Sequence, residues 1–488
     1  METNTAILLT LLLPTLASVS NIVLRNQENL RDGVTFAAAV ATFLCVLQIL
    51  ANVGNTTSET LVLFEVLPGL DLAFQVEPLG LLFAIIASGL WILTHVYGVG
   101  YMRGNKESHH ARFFSCFSLA IASVMGIAFA ANMFTLFLFY EVLTLSTYPL
   151  VAHKGTPEAI RGARTYLGIL IGTSIGLQLI AVIWTYAIAG TLDFTRGGIL
   201  EGKIAGPMVA VLLALYAFGI GKAALMPFHR WLPAAMVAPT PVSALLHAVA
   251  VVKAGVFTML KVGVYIFGID FLAETGASVW LMWLAAFSIV AASVVAMTKD
   301  NLKARLAYST VSQLSYITLG MALATSMGAL GGGMHIAMHA MGKITLFMCA
   351  GSIYVATHKT NISQMTGLGR IMPITFGAFL IGALSIIGLP PMGGSWSKWL
   401  LVMGAADTGQ WVMIAVLMVS SLLNVAYLLP LVGRGFFLKG ADIPDNAQMA
   451  EAPWMVWLPP AVTAFGCVVL FFFAGDIQTF LSPIVLPR

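Results

Sequence analysis

Charge is what this sequence has least of. Only 9% of its 488 residues are Asp, Glu, Lys or Arg, while 59% are hydrophobic and mean hydropathy is +0.93. Soluble domains carry roughly 25% charged residues, so a soluble fold is excluded and an all-α polytopic membrane protein is expected. Cysteine is scarce as well. Cys45, Cys116, Cys349 and Cys467 stand singly in apolar segments without CxxC or CxxH spacing, which removes zinc and haem motifs and leaves small packing residues. There is no nucleotide-binding loop, and nothing points to a cofactor, a metal, a redox centre, a catalytic site or nucleic acid. No basic stretch precedes the first apolar segment, which follows Met1-Glu2-Thr3-Asn4. It is therefore expected to be a retained helix and not a signal peptide.

Long apolar runs are what the sequence does have. At about 20 residues per crossing, fourteen spans are predicted, near 3–24, 33–53, 79–101, 112–131, 132–152, 162–190, 207–228, 239–262, 278–298, 305–325, 331–357, 372–403, 410–432 and 454–482. Only Asn132 marks the cut between the fourth and fifth. The stretch 54–78 is too irregular for a span and reads as an extracytoplasmic hairpin or surface segment. Alternate connections carry sixteen basic residues, from Arg25 and Arg31 through Lys303 and Arg305 to Arg434 and Lys439; the opposite side has only Arg196, Lys203, Lys261 and Arg488. Basic loops stay in the cytoplasm, so both termini are expected outside a cell membrane.

Four bases remain, Lys222, Lys253, Lys343 and Lys398, all inside predicted spans, and Glu141 is the one acid placed there. A charge at membrane depth costs at least ~2.5 kcal/mol on insertion scales and marks ion or proton paths. The stretch from Phe218 to Val262 combines two of these lysines with Pro227, Pro233, Pro239 and Pro241, which must break the helix. Broken backbone is tolerated in a membrane only where protein or a water-filled cavity covers it. Gly388-Leu389-Pro390-Pro391-Met392-Gly393-Gly394 breaks a second helix, with Lys398 just beyond. The chain accordingly divides into 1–111 (three spans), two five-helix blocks at 112–262 and 263–432, and 433–488. Each block has a broken fourth helix, and the odd number of spans would invert the second copy.

Glu141 and Lys222 have opposite charge and similar expected depth. A pair whose geometry can change is a protonation switch, whereas a static one only pins two helices. Lys253 and Lys343 have no intramembrane acid left to pair with, so each must shed its proton, sit in a hydrated cavity or snorkel to the interface. His335, His339 and Lys343 recur every fourth residue and climb one helix face. Histidines at that spacing can also hold zinc, but no HExxH glutamate accompanies them. His247 lies six residues before Lys253, and His229 sits at the first break, where it could gate proton uptake or cap backbone.

The segments PFHRWLP, APTPVSALLHAVAVVKAG, RLAYSTVSQLSYI, HIAMHAMGKITLF and IIGLPPMGGSWSKW resemble the antiporter-like proton-conducting membrane subunits of Mrp antiporters, respiratory complex I and membrane-bound hydrogenases. The resemblance runs from about Asp71 to Val432. It implies fourteen helices with two inverted five-helix repeats. Proton-transfer roles fall on Glu141, Lys222, Lys253, Lys343 and Lys398, and relay roles on His247, His335 and His339. The length, with no long C-terminal lateral helix, is most similar to the D component of Mrp antiporters. That implies other membrane subunits as partners and exchange of Na⁺ or another monovalent cation for protons. The alternative is a proton-pumping subunit of a complex I-like or hydrogenase assembly. One departure touches proton uptake: after Trp231-Leu232-Pro233 the family commonly has an acid, and here stands Ala234.

Overall fold

In lipid the backbone has to satisfy its own hydrogen bonds, and helices make up nearly all of the regular structure. A computed structural model describes residues 1–67, 69–440 and 448–485, with 246–248 described in backbone only. The predicted relay residue His247 and the outer-side Arg488 thus fall outside the described side chains. Each of the fourteen predicted spans meets a helix or an interrupted set of helices. Among the described residues, ten helices are by themselves long and apolar enough to cross a membrane. Val251–Phe267 with Ile269–Thr275, bent by 77°, makes an eleventh. The shortfall against fourteen lies in the short helix Pro207–Gly219, the pieces Pro373–Ile387 and Gly394–Asp407, and Leu302–Ala322, whose Ser, Thr and Tyr side chains make it less apolar. The 54–78 stretch forms an antiparallel hairpin, Leu61–Leu67 with Leu70–Phe74.

Hydrogen bonds and an ion pair between connections separate two faces. On one, Asn52 Nδ2 donates to Met1 O at 3.0 Å. The Gln75 amide donates there to Phe129 O at 2.7 Å, and that of Phe194 to Ala131 O at 3.1 Å. Ile199 N donates to Ile266 O at 2.9 Å on the same face. On the other, Leu302 N donates to Thr360 O and Gly367 N to Arg434 O, both at 3.0 Å, and Lys154 pairs with Glu107 at 3.7 Å. We call these the terminal face and the basic face. Leu16, Leu145, Ile183, Phe287 and Leu422 are exposed around the belt between them, as lipid contact requires. The helix Ser326–Thr357 is the opposite case: nearly every residue from Gly328 to Ile353 is buried, and the others pack round it.

Two features recur in the two blocks. Asn132 caps Met133–Val151 by accepting from Thr135 N, and its backbone bridges to Asp193 beyond the next helix. Asn301 caps Leu302–Ala322 by accepting from Ala304 N and bridges to Asn361, again beyond the next helix. The cap at Asn132 is the turn that separates the fourth and fifth spans. Since losing an Asn cap costs about 1 kcal/mol, Asn132→Ala and Asn301→Ala are each expected to lower the melting temperature of the detergent-solubilised protein by a few degrees.

The two breaks form as expected. Pro207–Gly219 stops at Ile220, the chain turns through Gly221–Ala223, and short turns fill 228–237 before a π-helical stretch, Val242–Ala250, leads into Val251–Lys261. The Trp231 indole donates to Gly221 O at 2.9 Å and covers a carbonyl that the break frees. In the second block Pro373–Ile387 ends at Gly388 (φ +90°), a conformation few side chains tolerate, and the chain resumes at Gly394.

Candidate functional site

Lys222 sits in the one-turn Gly221–Ala223 break and is fully buried. Its Nζ donates to Tyr140 O at 2.8 Å and Thr144 Oγ1 at 2.6 Å, and lies 3.1 Å from the Tyr140 ring centroid. Tyr140, Glu141 and Thr144 share helix Met133–Val151. The expected direct ion pair is not among those of the described residues. Lys222 is turned onto the residues on either side of Glu141, and both Glu141 carboxylate oxygens are buried with no hydrogen-bond partner. A carboxylate in that position costs free energy until a proton or a donor reaches it. The arrangement is that of a pair held apart, with the lysine parked on neutral oxygens.

The Lys253 helix packs on this turn backbone to backbone. A Cβ at Gly255 would overlap the Lys222 carbonyl carbon and the Ala223 amide, so only glycine fits. Lys253, also fully buried, has a histidine as its partner and not an acid: its Nζ contacts His339 Nδ1. The rings of His339 and His335 stack at 5.7 Å, as one helical turn of separation allows. His335 bonds Ser397 Oγ through Nδ1 at 2.9 Å and Gln313 Oε1 through Nε2 at 3.2 Å, and Tyr316 stacks on its other side at 5.5 Å. Gly331 brings the helix Gly394–Asp407 this close, since a Cβ there would lie 2.9 Å from Leu401 N. Beside Ser397, Lys398 places Nζ 4.9 Å from the Tyr316 ring centroid and donates to Ile387 O at 3.0 Å and Ser421 Oγ at 3.1 Å. The lysine thus caps the carbonyl end of the broken helix. Lys343 turns to a side branch, donating to Ser309 Oγ at 2.6 Å; Ser309 meets Tyr427 OH at 2.8 Å, which in turn meets Asn424.

The geometry therefore joins Lys253, His339, His335 and Lys398 in one buried series, with Ser397 and Tyr316 bridging its last step. It places Lys343 on a branch and leaves Lys222 and Glu141 as a separate cluster one backbone contact away. His229 stands apart, half-buried in the Phe228–Arg230 turn, with Nδ1 unpartnered and its ring 6.1 Å from Tyr308. Such a series can pass protons, because its lysines donate hydrogen and its imidazoles and bridging hydroxyls can both accept and donate it. Sequence reasoning missed Ser309, Gln313 and Tyr316. They recur at three- and four-residue spacing on Leu302–Ala322 and form a polar stripe that was there to be read. It also counted Lys261 among the outer-side bases and Glu141 as the one acid inside a predicted span. Lys261 and Glu77 are in fact buried against each other at 3.0 Å, and Asp32 is buried between Arg31 and Arg103.

Residues 130–424 match the family model described as NADH:quinone oxidoreductase/Mrp antiporter, TM, and residues 69–114 match that of NADH-Ubiquinone oxidoreductase (complex I), chain 5 N-terminus. NADH-quinone oxidoreductase subunit N of Desulforudis audaxviator (strain MP104C) is 32% identical over 501 aligned positions, covering 96% of both chains. NAD(P)H-quinone oxidoreductase chain 5 of Synechocystis sp. (strain ATCC 27184 / PCC 6803 / Kazusa) is 33% identical over 348 positions, 67% of this chain and 49% of that one. In fold, the chain superposes on one from the Mrp complex of Dietzia sp. DQ12-45-1b with TM-score 0.87 at 21% identity, covering 99% and 97% of the two chains. It superposes on one from the archaeal membrane-bound sulfane sulfur reductase with TM-score 0.86 at 23% identity, covering 99% and 98%.

Proposed function

Because the chain belongs to the family of antiporter-like membrane subunits shared by NADH:quinone oxidoreductases and Mrp antiporters, we propose that protons cross it along the buried Glu141–Lys222–Lys253–His339–His335–Lys398 axis. It is an antiporter-like, proton-translocating subunit of an Mrp or complex I-like assembly. The observation that carries the route is the contact series from Lys253 to Lys398, in which each side chain meets the next directly or through Tyr316 and all are buried.

In this reading other membrane subunits couple the proton flux to exchange of Na⁺ or another monovalent cation, as in an Mrp-type antiporter. The 263–432 block repeats the 112–262 block in inverted form, the basic face lies in the cytoplasm and the terminal face lies outside the cell membrane. Lys343 holds a proton on a branch, and His229 stands where a proton from the basic face would approach, the place where Ala234 offers no acid. A second reading is supported by the names of the relatives: a proton-pumping subunit driven by electron transfer elsewhere in a quinone-reductase assembly.

The test is purification with native partners, followed by reconstitution in vesicles carrying a pH-sensitive dye. Co-purifying hydrophobic Mrp-type subunits and a ΔpH that collapses on adding Na⁺ support the antiporter; iron–sulfur or quinone-binding partners and no cation response support the pump. Proton flux unchanged by Lys253→Ala would sink the axis in either setting.

A further inference from the structure

Helix Val251–Lys261 ends on a second buried lysine. Lys253 and Lys261 are eight residues apart, about 12 Å along the axis, and Phe257 occupies the intervening position on the same face. Lys261 Nζ lies 3.0 Å from Glu77 Oε1, with both side chains under one-tenth exposed. Glu77 has three further donors: Leu79 N at 3.1 Å, Gly80 N at 2.8 Å and Tyr265 OH at 2.7 Å. The carboxylate thus keeps three hydrogen-bond donors besides the lysine, so its oxygens stay satisfied when Lys261 trades a proton. Three rings surround its Nζ: Phe194 at 4.1 Å, Tyr265 at 4.9 Å and Phe257 at 5.7 Å. Phe194 is only partly buried and sits between exposed Asp193 and Thr195, so the ring nearest the Lys261 ammonium also reaches the terminal face. On the other side Phe257 packs on Phe83 at 5.0 Å, in the very helix that Glu77 caps. A buried ion pair has no clear stability advantage over apolar packing, so its place on the helix that carries Lys253 calls for another reason.

We propose that Lys261, held by Glu77 and Tyr265, is a proton-transfer station between the central axis and the terminal face, with Phe257 as the apolar plug that isolates it from Lys253. The proposal rests on the conduction reading above. The Lys261 ammonium of the ion pair first releases its proton to water beyond Phe194 and is left as an amine. When Phe257 swings aside and water enters, the Lys253 ammonium gives its proton through that water to the Lys261 amine, which restores the ion pair and leaves Lys253 as the amine ready for the next proton. Glu77, with its three other donors, holds the lysine in place throughout.

Arginine keeps the ion pair but does not release its proton, so Lys261→Arg separates a station from a structural clasp. In the assembled complex in vesicles, Lys261→Arg is expected to lower proton flux about tenfold or more with assembly and melting temperature retained; full flux in that variant overturns the proposal. Should Lys261→Arg fail to assemble, the plug decides: Phe257→Ala is expected to speed passive relaxation of ΔpH and Phe257→Trp to slow it, and no change in either overturns the proposal. Lys253→Ala runs alongside. Flux that survives it means the conduction reading has failed; loss there with full flux in Lys261→Arg means only the station has failed.

Discussion

A Lys253→Arg protein is expected to assemble and to carry protons at least about 10²-fold more slowly than the natural chain. Arginine supplies the same positive charge with more hydrogen-bond donors, but its guanidinium does not deprotonate within proteins. If Lys253 served only to place a charge, the substitution would be mild; if it must give a proton to His339, it is nearly as harmful as Lys253→Ala. His339→Ala belongs with it, because it removes the group that Lys253 touches and the ring stacked on His335. Dye-reported ΔpH relaxation in vesicles, read beside a native gel for assembly, separates the cases. Arginine at 253 with normal flux would mean that protons do not hop through this position.

Lys222→Ala and Glu141→Ala are expected to abolish transport outright while the complex still assembles. Among the described residues Lys222 Nζ bonds only Tyr140 and Thr144, and the Glu141 oxygens bond nothing, so removing either leaves no hydrogen-bond partner stranded that depended on it. A loss of function without a loss of folding is the signature of a pair kept for its switching. The finer variant is Glu141→Gln, which preserves shape and cannot ionise. It is expected to match Glu141→Ala in flux, again by at least about 10²-fold. Exchange that continues in all three would leave these residues as scaffold, and the chain would need another route.

The charges themselves were legible because a membrane makes them rare. Lys222, Lys253, Lys343 and Lys398 stand out of apolar sequence, and the structure buries all four. What joins them was harder to see. Ser309, Gln313, Tyr316, Ser397 and Tyr427 are common residue types whose polar groups usually bond their own helix or water, and only tertiary contact distinguishes those that face a lysine. The partner of Lys253 was missed because an ammonium is sought beside a carboxylate. An imidazole nitrogen fills the same place here, on a ring stacked against His335.

Helix ends explain the other misreadings. Lys261 was counted with the outer-side bases as the last charge of the predicted span 239–262, yet the helix continues as Val262–Phe267 and the lysine lies against Phe194. Glu77 reads as one more acid in an acidic loop, and nothing in the sequence shows that it caps Pro78–Gly104 from inside. The breaks were legible for the opposite reason. Proline and glycine act on the backbone locally, so Pro227 to Pro241 and Gly388 to Gly394 announce a break wherever the rest of the chain goes.

The helix Ser326–Thr357 has no side for lipid, and that bears on how the polypeptide is made. It carries His335, His339 and Lys343 in one membrane passage, and a lysine at mid-depth alone costs ~2.5–3.5 kcal/mol on insertion scales. As the ribosome delivers it, Val251–Lys261 and Leu302–Ala322 are already made and offer Lys253 to His339, Gln313 to His335 and Ser309 to Lys343, whereas Ser397 and Lys398 are still unsynthesised. A nascent chain stalled before Gly394 would thus leave the Ser397 side of His335 open to the bilayer, a polar gap of the kind that membrane quality-control proteases recognise.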